Sequence, residues 1–291
     1  MVKVGEGQVL RYQRRQGITR CDGEAVYLFP EIYDFRTGRF RPVSRRPHGK
    51  GLAVIVARRL KSAHPATLSP KGPASSAPTT RAPAWHLNSF RPAAASTQAG
   101  DGGQASSLTA PMEIADGDPH TVWAEGRSSD GRGEWVTLRR PPSPYKLQRL
   151  RIIPGDASSP TAFAQGNRLA SVLVVLSPAQ RFRVRFPRDP LVDGGTFTDP
   201  YDIPLPTPST TRCVTIVIER VYRGRGAPRG GGRTAIAEVK AITELDNAQG
   251  LRRLLKDLTG GDPHRAHVAA TILARQKASI LPTLKRAIAS T

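Results

Sequence analysis

Residues 116–126 read Asp-Gly-Asp-Pro-His-Thr-Val-Trp-Ala-Glu-Gly. After the polar bridge Arg127-Ser-Ser-Asp-Gly-Arg132 the chain resumes as Gly133-Glu-Trp-Val-Thr-Leu138. Asp and Gly favour tight turns, and Pro119 pushes Asp118 out of the helical region. Trp123 follows at once, and Trp135 opens a strand-like run. A turn clamped between two large aromatics suits a β-sandwich, which must hold its loops against a core.

Working outward, residues 85–246 are a succession of short strand patterns. Arg181-Phe-Arg-Val-Arg-Phe186 alternates strictly, with Phe182, Val184 and Phe186 on one face and three arginines on the other, as in a half-buried antiparallel strand. Further strands are predicted at 135–138, 147–153, 169–176, 214–219 and 235–239. Pro, Gly and Asp punctuate the gaps, and no helix pattern intervenes. Many short strands between turn signals predict a mainly β chain built as a jelly-roll sandwich.

The flanks differ. Residues 1–43 hold turn signals at Asp22-Gly23 and Thr37-Gly38 and apolar Val26, Leu28, Tyr33, Phe35 and Phe40. They read as a small strand-rich segment, too short to bury a core alone. Residues 44–84, rich in Arg, Pro, Ser and Ala, read as a disordered linker. In residues 247–291, Leu251, Leu254, Leu255 and Leu258 follow helical spacing up to Gly260-Gly261. Asp262-Pro263 then offers an N-cap with Pro at the first helical position. Val268, Ile272 and Leu273 continue the pattern, and another helix is expected from Leu281-Pro282.

The net charge of +21 suggests a nucleic-acid ligand, but it is uneven. Residues 1–84 carry +11, residues 85–246 only +4 and residues 247–291 +6. The domain that holds the motif is near balance, so nucleic-acid binding is the weaker reading. No apolar run approaches the roughly 20 residues of a membrane span. No secretory signal is visible. The chain therefore reads as a soluble monomer. Its two cysteines, Cys21 and Cys213, form no metal pattern and are read as unpaired thiols. One bridge between the N-terminal segment and the central domain is the alternative.

The central domain resembles the discoidin-like, coagulation factor type C sandwiches, in the subtype called the glycan-binding domain of NAD glycohydrolase toxins. The matching pieces run in order: Phe90 to Thr97, the Asp116–Trp123 loop, Gly133 to Leu138, Leu147 to Pro154, Asn167-Arg168, Val214 to Tyr222 and Thr234 to Val239. The basic, glycine-rich 223–233 loop and the Pro-rich 192–204 stretch depart from the family's pattern. The last 45 residues look similar to the start of a HEAT-type array, whose helix pairs need neighbours to bury their faces.

The resemblance implies a non-catalytic binding module for a glycan or other cell-surface molecule, in an extracytoplasmic or cell-envelope setting. The toxins keep their NAD chemistry in another domain, so it does not imply an NAD-consuming enzyme. It also implies a structural calcium ion held by Asp116, Asp118 and Thr121 with Glu238 from the closing strand, as a hard cation wants several oxygens. The alternative is that Asp116 and Asp118 only cap the turn.

No His-Glu-x-x-His, Gly-x-Ser-x-Gly or Walker pattern occurs. Trp123 and Trp135 suit core packing better than sugar stacking. His264 and His267 lack a third metal ligand, and Asp199 and Asp202 fall in the Pro-rich loop. Arg127 and Asp130 between the tryptophans, with Tyr222 and Arg225, are the candidate ligand contacts, because they pair Arg and aromatic groups with a carboxylate. The competing reading is a protein–protein scaffold that uses sandwich and helices together. It gains if the helices cover the loops.

Overall fold

In the computed structural model the described residues are 52–60, 90–95, 111–126, 130–140, 143–177, 180–225, 232–247 and 249–275, with the strands of the N-terminal region. That region contributes β1 (Val2–Lys3), β2 (Gln8–Arg11), β3 (Ile18–Thr19), β4 (Ala25–Val26), β5 (Glu31–Asp34) and β6 (Arg39–Pro42). Four of them form a sheet in the order β1-β2-β5-β6.

The sandwich is built from β7 (Val54–Val56), β8 (Arg58–Arg59), β9 (Arg91–Ala95), β10 (Trp123–Ala124), β11 (Trp135–Arg139), β12 (Leu147–Ile153), β13 (Arg168–Val175), β14 (Arg181–Arg185), β15 (Tyr201–Ser209), β16 (Cys213–Tyr222), β17 (Ala235–Ile236) and β18 (Glu238–Thr243). One sheet has six strands in the order β7-β14-β13-β16-β11-β9. The other has four, β18-β12-β15-β8. A short β10–β17 pair registers Trp123 against Ile236. The core lies between the sheets. It takes alternate residues of each strand, such as Val172 and Val174, Phe182 and Val184, Ile216 and Ile218, with Leu150 and Ile152 facing them. The fold is the β-sandwich that the alternating patterns predict, followed by the helices α2 (Gly250–Thr259) and α3 (Pro263–Arg275).

Three features differ from the sequence expectation. Residues 201–209, Tyr-Asp-Ile-Pro-Leu-Pro-Thr-Pro-Ser, are a nine-residue strand whose first four residues fall in the 192–204 stretch expected to be a Pro-rich loop. Only Tyr201 and Asp202 pair with β8, so Pro204, Pro206 and Pro208 lie where no described strand flanks β15 on that side. Proline is tolerated at such an edge because no partner needs its missing N–H. A short helix, α1 (Pro160–Gln165), stands where none was expected. Ser159 caps it by accepting the Ala162 N–H, and Pro160 opens it.

The third is in the stretch read as linker. β7 runs parallel to β14 in one sheet, and β8 runs antiparallel to β15 in the other. Ile55, Ala57 and Arg59 turn inward; Val54, Val56 and Arg58 are exposed. One six-residue segment therefore straps the edges of both sheets together. Arg59 locks it, donating to the carbonyls of Pro190 and Thr196 and lying 3.5 Å from the Asp199 carboxylate. Asp199 in turn accepts from the Thr196 N–H and hydroxyl.

The sandwich has two unlike ends. β12 and β18 register Leu147 with Thr243 at one end and Ile153 with Glu238 at the other. Tyr145 and Leu245, just outside the first end, pack with Leu254, Val268, Ala269 and Leu273 of the two helices. The Tyr145 hydroxyl donates to Asp257 at 2.7 Å, and Arg253 lies over its ring. The helix pair thus buries its apolar face on the sandwich. No described helix is long and apolar enough to cross a membrane.

Candidate functional site

The Ile153/Glu238 end gathers the loops that the sequence singled out. The 116–121 turn is tied internally. Asp116 accepts the Asp118 N–H at 2.8 Å and the Thr121 hydroxyl at 2.9 Å, and Asp118 accepts the His120 N–H at 2.9 Å. Gly117 sits at φ 95°, which admits glycine most readily, and donates its N–H to Glu238 Oε2 at 3.0 Å. Asp116, Asp118, Thr121 and Glu238 therefore do converge. Asp116 and Asp118 serve as turn caps, and Glu238 joins the turn to β18.

Two carboxylate oxygens here are buried without a hydrogen-bond partner, Glu238 Oε1 and Glu113 Oε2. Burial pushes the Glu238 carboxyl up to about 8, with Asp116 and Asp118 adding to the rise. Burial and Asp116 also raise Glu113. Glu113 was not picked from the sequence. Its one signal is an acid three residues ahead of Asp116, placed by the 3₁₀ turn Pro111–Ala115. Among the described residues, no group of three or more His, Cys, Asp or Glu side chains is gathered closely enough to hold a metal alone. Oxygen donors from buried carboxylates suit a hard cation, so the donor chemistry fits calcium, with Glu113 and Glu238 supplying the uncommitted oxygens.

Neither tryptophan offers a ring to a sugar. Trp123 is fully buried in the main core and Trp135 is almost fully buried on the other face of its sheet. The loop between them is the chemical surface. Asp130 binds Arg132 through Nε and a second nitrogen, each at 2.8 Å. That bond, with Arg223 nearby, holds its carboxyl below the ordinary range. The Asp130 carbonyl accepts the Thr234 hydroxyl, and buried Glu125 accepts the Thr234 N–H, so this loop is anchored to the 232–236 segment. Gly131, at φ 72°, leaves room for Glu125 beneath it. Arg132 was missed in the sequence; its position two residues after Asp130 in an Asp-Gly turn is the signal. Arg127 lies outside the described residues.

The stem of the basic, glycine-rich loop is equally well anchored. Arg168 is buried and forms a two-point pair with Asp189 at 2.7 and 2.9 Å. It also donates to the carbonyls of Phe163, Gly166 and Arg223. Gly224 donates to Asn167, and a Cβ at 224 would collide with the Gln165 carbonyl. Arg225 donates its N–H to Ala164, and its side chain is exposed. Tyr222 is half-buried and spends its hydroxyl on the Phe186 carbonyl at 2.7 Å. It is therefore a brace for β14. Arg132 and Arg223 lie beside Asp130, and Arg225 and Arg233 are exposed on the neighbouring stem, so this end offers planar donors near one carboxylate.

The remaining candidates are accounted for elsewhere. Asp202 pairs with Arg149 and Arg151, Asp199 with Arg59, and His264 and His267 are exposed on the start of α3. Residues 226–231 lie outside the described residues.

No curated protein matches the chain. Among solved structures it is similar to a variant of the arabinofuranosyltransferase AftD from Mycobacteria, at 20% identity over 53% of this chain with a TM-score of 0.37. It spans 12% of that protein's length. It is also similar to CBM32-3 from a family 31 glycoside hydrolase of Clostridium perfringens, at 10% identity over 55% of this chain and 94% of that one, TM-score 0.41. A third is the family 32 carbohydrate-binding module of Streptococcus pneumoniae EndoD, at 13% identity over 54% and 97%, TM-score 0.36. Residues 91–241 match the NAD glycohydrolase translocation F5/8 type C domain, and with more than half its length inside that match the chain belongs to this family.

Proposed function

We propose that the protein is a non-catalytic binding module whose loop end takes a glycan or another cell-surface molecule outside the cytoplasm. The observation that carries this reading is the position of the helices. They pack on Tyr145 and Leu245 at the opposite end, so the Asp130–Arg132 and Tyr222–Arg225 loops are not covered by them. Loop ends can vary chemically without disturbing the core. Exposed guanidinium groups beside a fixed carboxylate suit the hydroxyl and acid groups of a sugar. Arg127, Asp130 and Arg225 are the proposed contacts, joined by Arg132, with half-buried Tyr222 beside them at the base of the 223–225 stem.

A calcium ion bound by Glu238 and Glu113 with oxygens of the 116–121 turn completes the reading. Its role is structural: it offsets two buried carboxylates and fixes the turn next to the ligand loops. A glycan array probed with the full chain, with and without chelator, tests the function. Binding that survives moderate salt, competes with a free sugar and is lost in Arg225→Ala is expected. Binding only to unrelated DNA, collapsing with salt, would replace this reading with a nucleic-acid one.

A further inference from the structure

The centre of the outer face of the six-stranded sheet is apolar and covered, while its β14 side carries the Arg183–Glu219 ion pair. Along β11, β13 and β16 the apolar residues that point away from the core are Trp135, Leu173, Val175 and Val217, with exposures of 5%, 5%, 2% and 1%. They are contiguous, because Val217 registers with both Trp135 and Leu173. Thr137 and Thr215 continue the row, buried and hydrogen-bonded to each other at 2.8 Å. An apolar row buried this completely needs a layer on it. Among the described residues packed against these four, the only apolar one is partly buried Leu52, at the rim.

The same face ends at Cys213, which registers with Arg139 and shares the outward parity of Thr215 and Val217. Cys213 is 1% exposed and disulfide-bonded, against the expectation of free thiols. The chain has one other cysteine, Cys21, which lies outside the described residues. Cys21 belongs to the 1–43 segment, which has strands and an apolar set but too little chain for a core of its own. One part lacks a core, and another has an apolar face that needs a cover.

We propose that the N-terminal segment, residues 1–43, is the layer seated on the outer face of the six-stranded sheet, clasped there by a Cys21–Cys213 disulfide. Forming the clasp joins the two sulfurs. Each thiol gives up one hydrogen, and the two protons and two electrons pass to a disulfide oxidant that leaves as a dithiol. Such a clasp persists in an oxidising compartment. The N-terminal segment is then part of the domain's body, and the clasp sits at the helix end, remote from the ligand loops.

Peptide mapping of the full chain, alkylated without reductant, tests the clasp and does not depend on any variant folding. The expected result is one linked pair containing Cys21 and Cys213 with neither sulfur alkylated. Alkylated Cys213, or a Cys213 linked to a second copy of the chain, overturns the proposal. Deletion of residues 1–43 in a Cys213→Ser background tests the cover. Acrylamide quenching, with Trp135→Phe as the reference, should rise severalfold for Trp135. A folded truncated chain in which Trp135 stays unquenched overturns the proposal as well. Neither result depends on which ligand the loop end takes.

Discussion

The two ends of this sandwich are made from the same strands and put to opposite uses. At the Leu147/Thr243 end, Tyr145 and Leu245 meet Leu254, Val268 and Leu273, and the contact is apolar with ion pairs at its rim, Arg253 with Glu244 and Arg265 with Asp257. At the Ile153/Glu238 end, polar groups hold the loops: Arg168 on Asp189 and four carbonyls, Glu125 on Thr234, and Asp116 and Asp118 on their own turn. Apolar packing makes a closed end. Hydrogen-bonded loops make an end whose side chains are positioned yet exposed, as recognition requires.

That contrast can be broken most severely at Arg168. Its guanidinium is buried and satisfies a carboxylate and several carbonyls, so Arg168→Ala should cost about 3–5 kcal/mol, read by denaturant unfolding. Ligand binding should fall with it, because Arg168 holds the Arg223 carbonyl. A loss below about 1 kcal/mol would mean that the loop stem is held by something else.

At the helix end, Leu254→Ala should cost about 2–5 kcal/mol by opening a cavity under the helix pair. Ligand affinity should not change. If affinity falls together with stability, the ends are coupled and the scaffold reading gains.

Glu238 gives a smaller effect with a definite sign. Its carboxyl titrates at about 8 in the folded chain against an ordinary 4.5, so the folded state holds the proton more tightly than the unfolded state. Without a divalent cation, this contribution to stability is complete below the unfolded value and is lost as pH rises through 8. Saturating calcium should flatten the curve, since a cation favours the carboxylate. Glu238→Gln should flatten it too and remove the calcium response. Unfolding curves from about pH 5 to about pH 9 with and without chelator measure both. A calcium response that persists in Glu238→Gln would move the ion elsewhere.

The smallest structural effect belongs to the proposed contact. Arg225→Ala should change stability by no more than about 0.5 kcal/mol, as an exposed substitution does. It should abolish or greatly weaken glycan binding on the array. A binding-neutral Arg225→Ala would shift the site toward Arg132 and Arg233.

Most of the sandwich was legible because its strands obey period two. Arg181–Phe186 needed only its alternation, and Leu147–Ile153 its leucine and isoleucine content, to be recognised. β15 was not legible, since three prolines argue against a strand unless it is known that no neighbour asks for their N–H groups. The strap Val54–Arg59 hid for another reason. Its alternation is one turn of pattern inside a basic, Pro-rich stretch, and its meaning is fixed by partners about 130 residues away. The site was half legible. The acids of the 116–121 turn could be read as cappers or ligands, but Glu113, Arg132 and the bracing role of the Tyr222 hydroxyl depend on neighbours distant in the chain or on the shape of a turn.

The sequence alone determined the β class, the turn between two buried tryptophans and the helical change of character after residue 246. These follow from local periodicity, proline and glycine, which act over a few residues. Tertiary structure alone decided which end of the sandwich the helices close, which carboxylates are stranded in the dark, and that a segment resembling a linker joins the two sheets. These depend on pairings across more than a hundred residues, where burial changes what the same side chain costs and does.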